Sequence, residues 1–152
     1  HPHRAELIAK ATASWDVQIL VGDGRSLPEI DGGYDRVLLD APCTGLGALR
    51  RRPEVRWRRT PEDVPGLTVL QSELLSAALR LVRPGGVVAY VTCSPHPAET
   101  SAVLAGVGGA AELLDARASF PGVDALGTGP SVQLWPHRHG TDAMFCALLR
   151  RL

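Results

Sequence analysis

Residues 34–43, YDRVLLDAPC, form the stretch that decides the fold. Its apolar run is short and rich in residues that favour strands, and it stops at Asp-Ala-Pro, a combination typical of a turn. A run that is apolar at successive positions is typical of a strand buried on both faces. The stretch therefore predicts a buried strand that ends at Asp40 and brings Cys43 to the edge of a sheet.

Segments of similar character recur along the chain. Strands are predicted at residues 17–24 (VQILVGDG), 86–95 (GVVAYVTCSP), 110–116 (AAELLDA) and 143–150 (AMFCALLR). Helical spacing of apolar residues marks residues 1–15 and 69–82, the second followed by Arg-Pro-Gly-Gly, and another helix is expected to begin at Pro97. Residues 120–142, rich in Gly and Pro, predict a long surface loop.

Strands and helices thus alternate, which predicts an α/β domain with a mostly parallel sheet and helices on both faces. In such sheets, ligands bind beyond the carboxyl ends of the strands. Those ends hold Asp23, residues 40–43 and residues 92–95, so we expect the chemistry at this one rim. A nucleotide-binding unit normally starts with a strand and a Gly-rich turn, whereas this chain starts with a helix. We therefore expect an N-terminally truncated domain.

Length and composition restrict the class of protein. A chain of 152 residues, 45% hydrophobic and 21% charged, fits one globular domain. No apolar run reaches the roughly 18 residues of a membrane-spanning helix and no signal peptide is recognised, so we expect no membrane partner. A reducing, cytoplasmic location and a monomeric state are further expectations. Three widely spaced cysteines predict neither a disulfide framework nor a C-x-x-C zinc site. With 16 basic and 16 acidic residues, any signal for nucleic acid must be local.

Two cysteines lie at predicted strand ends, Cys93 in YVTCSP and Cys43 in the opening stretch. A single cysteine is more often a buried core residue. Two thiols at one rim beside Asp40 are harder to explain by packing, and they favour a reactive site. A thiolate is the reactive form of cysteine, and nearby positive charge, such as that of the arginines after Cys43, lowers its pKa. Cys146 has apolar neighbours in mid-strand and is interpreted as a core residue.

Residues 50–59, RRRPEVRWRR, carry six positive charges and one negative charge. The ordinary explanation of such a run is a solvated loop. This run directly follows the Cys43 turn, however, and a tryptophan within it offers a surface on which an unpaired base can stack. We therefore predict RNA contacts from Arg50, Arg51, Arg52, Arg56, Trp57 and Arg58.

Two acidic residues and two histidines are weaker candidates for a functional site. Asp40 and Asp23 each follow an apolar run, where an acid either shapes the turn or serves a site. His137 and His139 lie in a Pro/Gly loop without a cysteine or carboxylate at suitable spacing, so no metal site is predicted.

Residues 40–59 (DAPCTGLGALRRRPEVRWRR), 90–95 (YVTCSP) and 136–149 (PHRHGTDAMFCALL) together resemble the RNA cytosine-5 methyltransferases, specifically the Sun/RsmB type that acts on 16S rRNA. The match is collinear over nearly the whole chain, and the paired P-C and T-C motifs are specific. The resemblance implies a Rossmann-like, class I fold that uses S-adenosylmethionine. Residues 1–152 would then be the C-terminal part of the catalytic domain, without the first strand and the Gly-rich cofactor loop.

The resemblance also implies a role for each matching residue. Cys93 matches the nucleophile of the T-C motif, and Cys43 matches the P-C cysteine that helps to break down the covalent intermediate. Asp40 matches an acid near both cofactor and cytosine, and Asp23 an acid on the adenine side of the cofactor. The implied reaction transfers a methyl group from S-adenosylmethionine to C5 of a cytosine through an adduct between Cys93 and C6.

The chain also departs from the family's pattern. Only Glu99 remains of the acidic and Asn residues that usually follow T-C, and D-G-F-F is replaced by residues 142–145, DAMF. Without the cofactor loop, an RNA-binding module without catalysis is an alternative. A thiol hydrolase is a third hypothesis, and it is disfavoured because neither a nucleophile elbow nor a Cys-His-Asp order is present.

Overall fold

The computed structural model describes residues 2–27 and 32–152, with the side chains of Pro2 and Arg4 outside that description. Within these ranges the chain forms five α-helices and five β-strands. The helices are α1 (Pro2–Ala11), α2 (Val55–Arg58), α3 (Asp63–Leu81), α4 (Ser101–Ala105) and α5 (Pro136–His139). The strands are β1 (Tyr34–Asp40), β2 (Val82–Thr92), β3 (Ala111–Leu114), β4 (Val132–Gln133) and β5 (Phe145–Arg151).

The five strands form one sheet in the order β1-β2-β5-β3, with β4 also paired to β5. β1 and β2 are parallel, whereas β5 runs antiparallel to β2, β3 and β4. Because every antiparallel pair contains β5, the strands β1, β2 and β3 all point in one direction. The α/β class is confirmed. The sheet has fewer parallel pairs than expected, because β5 lies between two strands of the common direction.

The main hydrophobic core lies between α3 and the sheet. Helical spacing places Leu75, Ala78 and Leu79 on one face of α3, where they pack with Tyr90 and Leu149 of the sheet. Val103 of α4 joins the same cluster. Leu75 is 1% exposed, and burying a leucine side chain stabilises a fold by about 1.5–3 kcal/mol. This core fixes β1 and β2 beside each other.

The opposite face of β5 is covered without a long helix. Alternation along β5 turns Cys146 and Leu148 towards a second cluster built on Ala116, Leu126 and Val132. The predicted long loop, residues 120–142, thus contains β4 and α5. Its apolar side chains pack against this face of β5, whereas its Gly and Pro residues prevent a long helix. The two helices that join the main core, α3 and α4, contribute to the cluster on the other face. Cys146 is a core residue, as predicted.

The strand predicted at residues 17–24 is wrong. Residues 16–21 have no regular structure, and Val17, Leu20 and Val21 are exposed. A strand needs a neighbour for its backbone hydrogen bonds, and within the described ranges none lies alongside this segment. Asp23 therefore sits in a turn closed by a bridge to Ser26, and not at the end of a strand.

The remaining predicted elements are present with adjusted ends. The strand predicted to be buried before Asp40 is β1, but it is largely exposed, with Leu38 at 72%, because among the described strands it pairs only with β2 at the edge of the sheet. Residue 1 lies outside the described residues, and α1 covers Pro2–Ala11 of the helical pattern. The helix predicted at 69–82 begins earlier, at Asp63, and ends at Leu81. The helix expected at Pro97 is divided into a single 3-10 turn, Pro97–Glu99, and α4. Among the described helices, none combines the length and the apolar character needed to cross a membrane.

Candidate active site

Two loops meet at the carboxyl ends of β1 and β2. These strands are adjacent and parallel, with Asp40 opposite Val91, so both chains leave the sheet at the same rim. The first loop carries Cys43 and the second Cys93, and their Sγ atoms lie 3.4 Å apart. The predicted convergence of the two thiols is confirmed. Both cysteines are half-buried, so a substrate atom can still reach them.

The thiol pair is electrostatically asymmetric. A hydrogen bond with Cys43 lowers the pKa of Cys93 to about 7. The same hydrogen bond, followed by burial, raises the pKa of Cys43 above its ordinary value. As the pH rises through this value, the pair therefore comes to hold a thiolate at Cys93 and a thiol at Cys43 that donates to it. Since the thiolate is the nucleophilic form, the arrangement favours Cys93 as nucleophile.

The expected arginine field is not the main cause of this pKa shift, because the hydrogen bond with Cys43 has the largest effect. Arg51 does interact electrostatically with Cys93. Its guanidinium, however, donates to the buried carboxylate of Asp142, with Nε 2.8 Å from Oδ2 and 3.1 Å from Oδ1, and this negative charge opposes its effect. The carboxylates of Asp40 and Asp142 both act to raise the pKa of Cys93, against the stronger effect of Cys43.

A buried carboxylate, Glu99, ties the two cysteine loops together. Its Oε1 accepts hydrogen bonds from the backbone N–H of Thr44 at 2.8 Å and from Gln71 Nε2 at 3.1 Å. Its Oε2 accepts from the hydroxyls of Thr44 and Ser94, each at 2.6 Å. Thr44 follows Cys43, and Ser94 follows Cys93, so one side chain holds the residue next to each thiol. Glu99 is 0% exposed, and these four hydrogen bonds offset the cost of burying its carboxylate.

In the sequence, Glu99 stands out only as the one acid that follows T-C, and neither its role nor its partners can be predicted from that position. A usable signal is that each cysteine is followed directly by a hydroxyl residue, Thr44 or Ser94. Gln71 is also central, because its Nε2 donates to the carbonyl of Pro42 at 2.8 Å. Helical spacing could have found this glutamine, because it lies four residues before Leu75 and seven before Ala78, on the buried face of α3.

The backbone of Gly47 contacts the backbone of Cys93 and helps to hold the loop that carries this cysteine. The N–H of Gly47 donates to the carbonyl of Cys93 at 2.9 Å, and its carbonyl accepts from Ala143 N–H at 2.9 Å. A Cβ at this position would lie 2.0 Å from the carbonyl oxygen of Ala143. Only glycine fits between the Cys93 loop and the start of β5.

The two acids expected near the cofactor differ in their surroundings. Asp40 is exposed at the end of β1, beside the thiol pair. Its carboxylate suits the hydroxyl or ammonium groups of S-adenosylmethionine. The carboxylate of Asp23 instead accepts from the backbone N–H and the guanidinium of Arg25, a pairing that lowers the pKa of Asp23 to about 2. Asp40 thus fits the cofactor in this structure, whereas the carboxylate of Asp23 is already paired.

The arginine-rich segment divides into paired and open side chains. Arg50 donates to the carbonyl of Gly140 at 3.1 Å, and Arg52 lies 3.3 Å from Glu54. The side chains of Arg56, Trp57 and Arg58 on α2 are exposed, and Trp57 is 84% exposed. All six predicted RNA contacts are exposed. They differ in their partners, since Arg50 and Arg51 bind Gly140 and Asp142 and Arg52 pairs with Glu54 of the same segment.

The two histidines of α5 stand apart from the thiols. His139 Nδ1 accepts from the backbone N–H of Trp135 at 2.8 Å, and its Nε2 lies 3.0 Å from the carbonyl of Asp124. His137 is exposed, with its ring tilted against that of Trp135. These contacts assign His139 a structural role in its loop.

Comparisons with known proteins agree with this site. The family model for the 16S rRNA methyltransferase RsmB/F matches residues 1–150. A protein of Mycobacterium tuberculosis (strain ATCC 25618 / H37Rv), named "Putative methyltransferase Rv1407", is 61% identical over 154 residues, which cover 99% of this chain and 34% of that protein. The chain therefore spans about a third of the length of this relative.

Solved structures share the fold. The crystal structure of PH0851 is 36% identical with a TM-score of 0.82, covering 98% of this chain and 34% of that one. NSun6 from Pyrococcus horikoshii, solved with the S-adenosylmethionine analogue SFG, is 28% identical with a TM-score of 0.78, covering 96% of this chain and 37% of that one. With a Rossmann-like methyltransferase fold and a family match over nearly its whole length, the chain belongs to the RsmB/F family of S-adenosylmethionine-dependent 16S rRNA methyltransferases.

Proposed function

We propose that this chain carries the catalytic centre for methylation of C5 of a cytosine in RNA, with Cys93 as nucleophile. The observation that carries the proposal is the thiol pair at the ends of β1 and β2, with Sγ atoms 3.4 Å apart and the lower pKa at Cys93. Methyl transfer to an oxygen or to an exocyclic nitrogen does not need a thiolate. A carbon atom of an aromatic ring does, because it is a poor nucleophile until another group adds to the ring.

The first step is addition of the Cys93 thiolate to C6 of cytosine. A sulfur lone pair forms the S–C6 bond, and the electrons of the C5–C6 double bond move towards C4 and N3. A proton at N3 favours this addition, and the exposed carboxyl of Asp40 is placed at the rim to assist it. C5 then has the character of an enamine carbon. When bound, S-adenosylmethionine would supply the electrophilic methyl group, with the electron pair of the broken S–CH3 bond remaining on its sulfur, and Asp40 is the residue of the described site that fits this cofactor.

The second step restores the aromatic ring. A base removes the proton from C5, the two electrons of that C–H bond re-form the C5–C6 double bond, and the S–C6 bond breaks to release the Cys93 thiolate. Cys43, or a water molecule held beside it, is the candidate base. The raised pKa of Cys43 keeps its thiol protonated in the resting pair, so Cys43 would act as the base only after its own proton had left, and otherwise it would hold the water molecule that takes the C5 proton.

The geometry of the thiol pair and the positive charge beside it both favour RNA as the substrate. Thiolate attack at C6 requires an unpaired or flipped-out cytosine. The exposed arginines and Trp57 of α2 lie just after the Cys43 loop, where they can contact flanking phosphates and an unpaired base. The family model favours 16S rRNA as the substrate, and a cytoplasmic location follows from that substrate. The chain would contribute the catalytic part of a longer enzyme.

The experiment that tests the proposal traps the adduct. In the full-length protein at a pH of about 8.5 or above, where Cys93 without its Cys43 partner is still largely a thiolate, Cys43→Ala should permit addition and methyl transfer but slow release, so a protein–RNA band should persist on a denaturing gel. The double variant Cys43→Ala/Cys93→Ser should give no such band. If the double variant still gave the adduct, or if Cys93→Ser alone methylated normally, Cys93 would not be the nucleophile.

The alternative, an RNA-binding module without catalysis, is tested separately. Calorimetry with S-adenosylmethionine distinguishes the two functions, since a non-catalytic module has no need for cofactor affinity. Clear binding of the cofactor by the chain of residues 1–152 would argue against this alternative.

A further inference from the structure

A cavity of about 430 Å³ opens beside the two cysteine loops, and we name it the flank cavity. Thr44, the residue after Cys43, and His96, three residues after Cys93, form one side of it. Its other lining residues are Leu46, Arg59, Thr60, Pro61, Val64 and Pro65. Because both cysteine loops contribute to its wall, a ligand in the flank cavity would lie next to a base held at the thiols.

The wall formed by Leu46 and by the entry to α3 is apolar. Pro61 and Pro65 have no backbone N–H, and Val64 adds a branched side chain at the start of the helix. Flat, rigid apolar surfaces of this kind suit the face of an aromatic ring that must leave water. The cavity also has the volume of a small-ligand site, which is enough for one nucleobase.

The polar groups of the flank cavity are hydrogen-bond donors. The backbone N–H of Ala98 donates to His96 Nδ1 at 3.1 Å, so the neutral ring carries its proton on Nε2. No described residue accepts from this Nε2–H. The guanidinium of Arg59 is 3.8 Å from its nearest carboxylate, that of Asp63, and it retains N–H groups for a ligand. The hydroxyl of Thr44 is not available, since it donates to Glu99 at 2.6 Å.

This combination requires a ligand with an aromatic face and with acceptor atoms. No carboxylate lines the flank cavity among the described residues, which favours an anionic or acceptor-rich ligand over a cationic one. The adenosine of the cofactor is the other candidate, but neither Asp40 nor Asp23 contributes to this wall. A nucleotide covalently joined to the target cytosine satisfies the chemistry and also the position.

We propose that the flank cavity binds the base of an unpaired nucleotide next to the target cytosine. His96 Nε2–H would donate to a ring nitrogen or carbonyl of that base, and Arg59 would bind the adjoining phosphate. This inference rests on the proposed function, since it assumes that RNA is the substrate. It makes His96 a residue that sets sequence preference without touching the reacting atoms.

The test measures binding and not turnover. Fluorescence anisotropy of the full-length protein is recorded with short single-stranded RNAs that contain the target cytosine and either a base or an abasic residue on its 5′ or 3′ side. An abasic residue on one of the two sides should weaken binding about tenfold, the size expected for one base contact with a hydrogen bond. In His96→Asn, whose shorter side chain can still accept from Ala98 N–H, this difference should fall to less than about threefold. His137→Asn is the matched control and should keep the full difference.

A second variant blocks the space itself. Val64→Trp fills the flank cavity and should remove the same difference, whereas Val69→Trp, at an exposed position of the same helix, should not. Equal weakening of the affinity for all the RNAs in His96→Asn, or a defect in S-adenosylmethionine binding alone, would overturn the proposal. Base-dependent binding without methylation would refute the proposed function and support the cavity assignment, so the two failures are distinguishable.

Discussion

Thr44 and Glu99 are joined by two hydrogen bonds: the Thr44 N–H donates to Oε1 at 2.8 Å, and the Thr44 hydroxyl donates to Oε2 at 2.6 Å. With the Ser94 hydroxyl on the same Oε2, the carboxylate connects the loops of both cysteines. The thiol geometry therefore depends on a residue that touches neither sulfur. Glu99 is a positioning residue, and its effect on the reaction should pass through the two loops.

Replacing Glu99 tests this dependence. Glu99→Ala leaves several buried donors without an acceptor and should lower the free energy of unfolding by about 3 kcal/mol, measured by urea denaturation. Glu99→Gln should cost less, because its amide oxygen can replace Oε1. Glu112→Gln, which removes an exposed ion pair with Arg150, is the control and should change stability by less than about 1 kcal/mol. Equal stability of Glu99→Ala and the control would contradict the positioning role.

The asymmetry of the thiol pair predicts a pH dependence. Because the folded-state pKa of Cys93 is about 7, its reaction with iodoacetamide should be fast above that pH and should slow as the pH falls through it. In Cys43→Ala, the donor that stabilises the thiolate is removed, so the midpoint should rise towards the ordinary cysteine value of about 8.5. Cys93→Ser defines the background from other thiols. A midpoint unchanged by Cys43→Ala would show that another group lowers the pKa.

The backbone contact at Gly47 predicts an unusually sensitive position. Gly47→Ala places a methyl group against the carbonyls of Ala143 and Cys93 and should destabilise the protein by more than about 2 kcal/mol. Gly66→Ala is the matched control, since nothing lies within 4 Å of its added Cβ and it is in α3. There alanine should stabilise by up to about 1 kcal/mol, because it favours helix more than glycine does. The melting temperatures of both variants are compared with that of the unmodified protein. Equal melting temperatures would show that a Cβ at position 47 does not clash with the carbonyl of Ala143.

The divided arginine segment predicts unequal contributions to RNA binding. Removing the open charges in Arg56→Gln and Arg58→Gln should weaken RNA binding. It should also lower the salt dependence of affinity by about 0.7 in log–log slope for each phosphate that the variant no longer neutralises. Arg51→Gln should change the slope less and stability more, because Arg51 is bound to the buried Asp142. Titrations at several salt concentrations separate these effects. Equal slopes for all three variants would mean that the Arg51 ion pair opens when RNA binds.

Stacking of an RNA base on Trp57 is tested separately from the contacts of the arginines with phosphates. Trp57→Ala should weaken single-stranded RNA binding by about 1–3 kcal/mol without changing the salt slope, because an indole contributes no charge. Trp57 is 84% exposed, so the substitution should leave the melting temperature within about 1–2 °C of the unmodified protein. Trp57→Phe should retain part of the affinity. No change in affinity for Trp57→Ala would remove this residue from the RNA surface.

The residue pattern alone is enough to locate the segments that become β1 and β2 and the residues that end them. It does not predict their burial: β1 is an edge strand with Leu38 72% exposed, whereas β2 is buried at alternate positions. The turns after both strands are set by local Pro and Gly chemistry. The same local logic failed at residues 17–21, where a strand pattern without a neighbouring strand stays irregular. It also failed to give the direction of β5, because strand direction depends on pairing partners and not on local pattern.

The pKa values and hydrogen bonds of the site depend on tertiary contacts and could not be predicted from the sequence. The pKa of Cys93 depends on a sulfur 50 residues away in sequence, and Glu99 reaches Thr44 across 55 residues. Likewise, Arg51 and Arg56 have similar surroundings in the sequence. Asp142, which lies 91 residues from Arg51 in the chain, binds Arg51 and not Arg56. Electrostatic energies and hydrogen bonds depend on distances in space, and those distances exist only once β1, β2 and β5 have paired and fixed the loops at their ends.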